Sequence, residues 1–140
     1  ACSGAAWFEK KRADGRQQVG IDLFMAFTRT HIPRVCIENP VGIMSRLYRE
    51  PDQIIQPFFF GDEYQKTTCL WLKNLPCLKH VSENDLFDTP THVEKEKDYI
   101  SPKGKRMPGW FAKTGSGSGK ERSRTFPGIA NAMAEQWSDK

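Results

Sequence analysis

Two prolines constrain this chain more than any other feature, because each directly follows a short apolar run. Pro40 closes Arg34-Val35-Cys36-Ile37-Glu38-Asn39, and Pro57 closes Gln53-Ile54-Ile55-Gln56. Proline has no N–H to give a ladder, so a strand must end at or beside it. Both runs therefore read as strands. Thr67-Thr68-Cys69-Leu70-Trp71-Leu72, β-branched at its start and apolar throughout, is the clearest strand of the chain. Gly61-Asp62 supplies a turn, so the second and third strands are expected to form a hairpin with a long loop.

Helical spacing appears in three places. Between Gly15 and Arg29, Val19, Leu23, Phe24 and Phe27 fall on one side, with Gln17, Gln18 and Asp22 opposite. Asp14 is the expected N-cap, and His31-Ile32-Pro33 ends the helix. Ile43 to Tyr48 reads as a short helix or turn. Phe126 to Trp137 reads as a last helix, with Ile129, Met133 and Trp137 four apart and Ala130 and Ala134 on the same face. From Pro76 to Arg124 regular signals fade, and residues 78–124 are expected to form a long loop region. The order predicts an α/β chain of one domain, residues 1–140: a mixed sheet flanked by helices, resembling part of a larger sheet.

No apolar run approaches the roughly 18 residues of a membrane-spanning helix. Cys2, Cys36, Cys69 and Cys77 permit two disulfides, but 140 residues can bury a core without them. Cys36 and Cys69 lie inside apolar runs, where cysteine behaves as a small hydrophobe, so a reducing, cytoplasmic setting is expected. Net charge is +4, unevenly spread. Lys103, Lys105, Arg106, Lys113, Lys120, Arg122 and Arg124 are opposed between Tyr99 and Arg124 by Glu121 alone. Such a segment suits a polyanion, most simply nucleic acid, or serves as a solvated loop.

Several tempting motifs fail on spacing. Gly115-Ser116-Gly117-Ser118-Gly119-Lys120 would need Gly at 114 and Ser or Thr at 121 to be a phosphate loop; those positions hold Thr114 and Glu121. Cys69, Cys77, His80 and His92 lack the two close pairs of a zinc site. Nothing local to Cys2 lowers its pKa toward that of a nucleophile. Glu38-Asn39-Pro40 is the stronger candidate. A carboxyl group at a strand end, beside Val35 and Ile37, would be partly desolvated, which suits a group sharing a proton with a substrate. Equally, Glu38 has Arg34 or Arg46 to pair with, or a neighbouring helix to cap.

Val35-Cys36-Ile37-Glu38-Asn39-Pro40-Val41-Gly42 resembles the Glu-Asn-Val or Glu-Asn-Pro motif of DNA (cytosine-5) methyltransferases. The runs Pro51 to Pro57 and Thr67 to Lys73, with Ser3-Gly4-Ala5-Ala6-Trp7-Phe8 and Arg124 to Ala130, are similar to a small group of bacterial and phage proteins described as cytosine-methyltransferase-like. The resemblance covers nearly the whole chain. It implies a partial Rossmann-like methyltransferase fold, S-adenosylmethionine as cofactor of the full-length protein, DNA as partner, and a phage or restriction–modification context. It gives Glu38 the role of hydrogen-bonding a flipped cytosine at N3, with Asn39 and Pro40 fixing the backbone that aims it. Tyr64, Lys66 and Thr68 stand where the family has Gln, Arg and Arg, and Lys66 alone keeps the charge, as a point charge without the guanidinium fork. Lys66, Lys103, Lys105, Arg106, Lys120, Arg122 and Arg124 are the expected DNA contacts.

The family's Pro-Cys nucleophile and the glycine-rich loop after a first strand do not occur here. Both belong upstream of Ala1, so the chain is expected to be the C-terminal portion of such a protein and inactive alone. The rival expectations are a non-catalytic DNA-binding or phage accessory protein with a methyltransferase-like fold, and a plain structural domain.

Overall fold

A computed structural model describes residues 13–82, 89–113 and 125–138. The chain divides into two compact units: residues 1–55 with 67–77, and residues 56–66 with 78–140.

In the first unit, α1 (Arg16–Thr28), β1 (Val35–Pro40), α2 (Met44–Leu47), β2 (Gln53–Ile55) and β3 (Thr68–Lys73) follow one another. Each lies where the apolar runs and their stop signals place it. Gly15, at a left-handed φ of 76°, is the N-cap of α1. Asp14 serves the same end from one residue further out, accepting the Arg16 backbone N–H at 3.1 Å.

The sheet runs β1-β3-β2, and β3 is antiparallel to both neighbours. Val35 pairs with Lys73 and Pro40 with Thr68 on one side, and Gln53 with Leu70 on the other. The expected hairpin is β2–β3. The expected mixed sheet is corrected: every strand pairing among the described residues is antiparallel. The reason is topological. β1 and β2 point the same way but never meet, because the hairpin folds β3 back between them and β3 takes the ladder bonds of both.

Phe24, Met44, Cys69 and Trp71 form the core of this unit, with Ile21, Met25, Ile37 and Ile43 packed against it. The Phe24 ring meets Trp71 edge-on at 5.0 Å, with the planes at 90°, and Tyr48 at 5.8 Å. The Trp71 indole Nε1 donates to the Arg49 carbonyl at 2.9 Å, so this side chain is buried with its polar atom satisfied. Burial of a side chain this large contributes about 3 kcal/mol. The expected inner face of α1 is corrected. The helix buries Gln17 and Phe24, whereas Val19, Leu23 and Phe27 are 68%, 48% and 50% exposed. Two apolar stripes run along this helix. The one containing Ile21, Phe24 and Met25 meets Trp71, and the helix turns about its axis to suit it.

The second unit contains a 3₁₀ turn (Pro57–Phe60), the hairpin strands β4 (Asp98–Ile100) and β5 (Arg106–Pro108), α3 (Gly109–Lys113) and α4 (Pro127–Trp137). The stretch 78–124, expected as loop, therefore holds a β-hairpin and a helical turn. Their strands of three residues are too short to show alternation. Helix α4 opens on Pro127, whose fixed φ suits a first helical position. It buries Ile129 and Ala132; Ala130 and Ala134 are exposed, which corrects the expected face. Gln136 of α4 clasps the Lys79 backbone from both sides, accepting its N–H at 2.7 Å and donating to its carbonyl at 2.9 Å.

Candidate functional site

Alternation along β1 sorts the Glu-Asn-Pro run. Ile37 and Asn39 lie opposite Trp71 and Cys69, on the side of the sheet that carries the Phe24–Met44 core. Cys36, Glu38 and Pro40 occupy the other side. Asn39 is buried, Pro40 is half-buried and ends the strand, and Glu38 is exposed. The expectation of a partly desolvated carboxyl group at a strand end is corrected. The ladder continues past Glu38 to Pro40↔Thr68, so Glu38 stands within the strand, facing Leu70 across the ladder, as an exposed residue. Leu70 itself is fully buried.

The charge of Glu38 reaches two thiols. Burial, and then the Glu38 carboxylate, push the Cys36 thiol up to about 12. Burial raises Cys69 as well, followed by the charges of Glu50 and Glu38. Both remain neutral thiols at physiological pH and neither is a nucleophile. Cys36, Cys69 and Cys77 are all free. Cys2 and the run Ser3 to Phe8 lie outside the described residues.

The segment compared with the family's Gln-x-Arg-x-Arg element is built into packing. The Tyr64 ring stacks on Phe126 with centroids 5.1 Å apart, and the Lys66 ammonium lies 5.7 Å from the centre of the same ring. Thr68 is buried as the first residue of β3. Between them in sequence, Gln65 is a hub of the second unit. Its Nε2 donates to the Glu96 carbonyl at 3.2 Å and to Asp98 Oδ1 at 2.9 Å, and its own carbonyl accepts the Trp110 indole N–H at 2.8 Å.

Basic residues gather at the tip of the β4–β5 hairpin. The turn Ser101–Lys105 is closed by three bonds: Ser101 N–H to the Lys105 carbonyl at 2.9 Å, Gly104 N–H to the Ser101 carbonyl at 2.8 Å, and Lys105 N–H to Ser101 Oγ at 3.0 Å. Gly104 takes a φ of 74°, which a β-carbon would strain. Lys103, Lys105 and Arg106 are exposed around it. Arg106 bonds to Asp98 across the hairpin, and this contact, with the bond from Gln65, holds the Asp98 carboxyl below the usual carboxylate range. Lys120, Arg122, Arg124 and the Gly115–Gly119 run lie outside the described residues.

Sequence reasoning considered His80 and His92 only within a rejected zinc set and missed their pairing. His80 Nδ1 and His92 Nε2 share a hydrogen bond of 2.8 Å, and both rings stack on Phe59, with centroids at 4.7 and 4.8 Å. Burial, and then His92, lower the pKa of His80. No local signal announces a pair whose members lie twelve residues apart.

Two glycines of the second unit are walled in by the chain's own packing. A β-carbon at Gly128 would fall 1.9 Å from the Phe60 carbonyl oxygen, and one at Gly109 would fall 2.9 Å from Glu96 Oε2. The chain itself fills both places. No helix of the described residues is long and apolar enough to cross a membrane. No protein-family model, curated protein or solved structure matches the chain.

Proposed function

We propose that this chain is part of an S-adenosylmethionine-dependent DNA cytosine methyltransferase-like protein, with a Rossmann-like sheet, acting in a reducing cytoplasmic setting. The observation that carries this reading is the placement of Glu38. It is an exposed acidic residue on β1, followed by buried Asn39 and strand-ending Pro40, in the residue order of the family's base-binding motif. Such a group can accept a hydrogen bond from a flipped cytosine, or share a proton with its N3. S-adenosylmethionine is the methyl donor this reading implies.

In the full-length protein, Glu38→Gln is expected to lower methyl transfer at least a hundredfold while changing DNA affinity less than twofold. Equal turnover in the two proteins would overturn the assignment. The exposed lysines of the β4–β5 turn favour a second reading, a DNA-binding accessory protein without catalysis. DNA binding with no methyl transfer by the full-length protein would select it.

A further inference from the structure

We propose that the β4–β5 hairpin is a two-stranded ribbon that enters the major groove of duplex DNA, with Lys103 and Lys105 on phosphates and Ile100 against base edges. It rests on the reading above in one respect, that DNA is the partner. Four observations converge on it. The tip, Ser101 to Arg106, carries three cations and no acid. Its turn is pre-formed by the three bonds within Ser101–Lys105, so little order has to be gained on binding. Ile100 is 67% exposed, and it pairs with Arg106 on the same side of the ribbon. The base of the hairpin is anchored by the bond from Gln65 to Asp98, and Arg106 ties the two strands together through the same carboxylate.

The dimensions agree. Strands about 4.8 Å apart, with their side chains, fit a groove about 12 Å wide, and a two-stranded ribbon is an established shape for that groove. The A-form groove of duplex RNA is too narrow for it. Arg106 is engaged by Asp98 and serves as a positioning residue for the ribbon, which leaves the two lysines as the phosphate contacts.

Binding of the 140-residue chain to a 20-base-pair DNA duplex, followed by fluorescence anisotropy across a salt series, tests this. Lys103→Ala/Lys105→Ala is expected to weaken binding about tenfold near 0.1 M salt. It should also reduce the slope of log affinity against log salt by about two, since each phosphate contact contributes roughly 0.9. Ile100→Ser is expected to weaken binding several-fold with the slope unchanged. An unaltered slope in the double variant would overturn the proposal. So would equal affinity for duplex RNA, or tighter binding to phosphatidylserine vesicles than to DNA. The Glu38 assignment is read by turnover, so either idea can fail while the other stands.

Discussion

The carboxylate of Asp62 accepts the backbone N–H of Gly128 at 2.8 Å and so fastens the first turn of α4 to the segment after the 3₁₀ turn, sixty-six residues earlier. It occupies an orphan donor of the helix and places a negative charge at the positive end of the dipole. The approach is so close that only glycine fits. Gly128→Ala would drive its methyl group into the Phe60 carbonyl and is expected to cost about 3 kcal/mol. Asp62→Ala, which removes only the cap, should cost about 1 kcal/mol. Thermal unfolding of the two variants should reproduce this order; a Gly128→Ala protein as stable as the wild type would refute the contact.

The His80–His92 pair predicts a loss of stability in mild acid. His80 has its pKa lowered in the folded chain, by burial first and His92 second. The unfolded chain therefore binds the proton more readily. The contribution is present above the ordinary histidine value near 6.5 and is lost as pH falls below it. Melting temperatures should drop between pH 7.5 and 5.5, and His80→Phe, which keeps the ring on Phe59, should flatten that drop. An equal drop in both proteins would remove the histidine pair as its source.

The thiols should react in a fixed order. Cys77 is exposed, whereas Cys69 is buried and Cys36 has its pKa pushed up to about 12. At pH 8 iodoacetamide should label Cys77 well before Cys36 or Cys69, as read by peptide mass spectrometry. Early labelling of Cys36 would mean that β1 opens readily.

Gln65→Ala should loosen the hairpin. Its side chain supplies bonds to both the Glu96 carbonyl and Asp98. Without them, hydrogen exchange at Tyr99 and Met107 is expected to quicken about tenfold, the equivalent of about 1.4 kcal/mol. Unchanged exchange would show that the ribbon's own contacts, Arg106–Asp98 among them, hold it without Gln65.

How far these features were legible in the sequence depends on their range. Pro40, Pro57 and the Thr68 run located three strands, because stop signals and β-branching act within a few residues. The β2–β3 hairpin was legible from its turn, but the pairing of β3 with β1 spans about thirty residues, which no local pattern records. Helix α1 showed two apolar stripes; which one turns inward was decided by Trp71, far along the chain. The identity of Glu38 was readable, but its exposure was not, because the ladder to Thr68 carries β1 beyond it. Lys103 and Lys105 were legible as charge. The hairpin that presents them was hidden by strands of three residues, and the histidine pair by its long-range geometry.

The central position of β3 also governs when the sheet can exist at all. During synthesis β1 and β2 leave the ribosome first, yet among these three strands neither pairs with the other. Both wait for residues 68–73, so no part of this sheet can form before them. The β2–β3 hairpin can close once residue 73 is made, and β1 then joins across about thirty residues, the slower kind of contact. A nascent chain halted at residue 66 would hold two strand segments and no sheet.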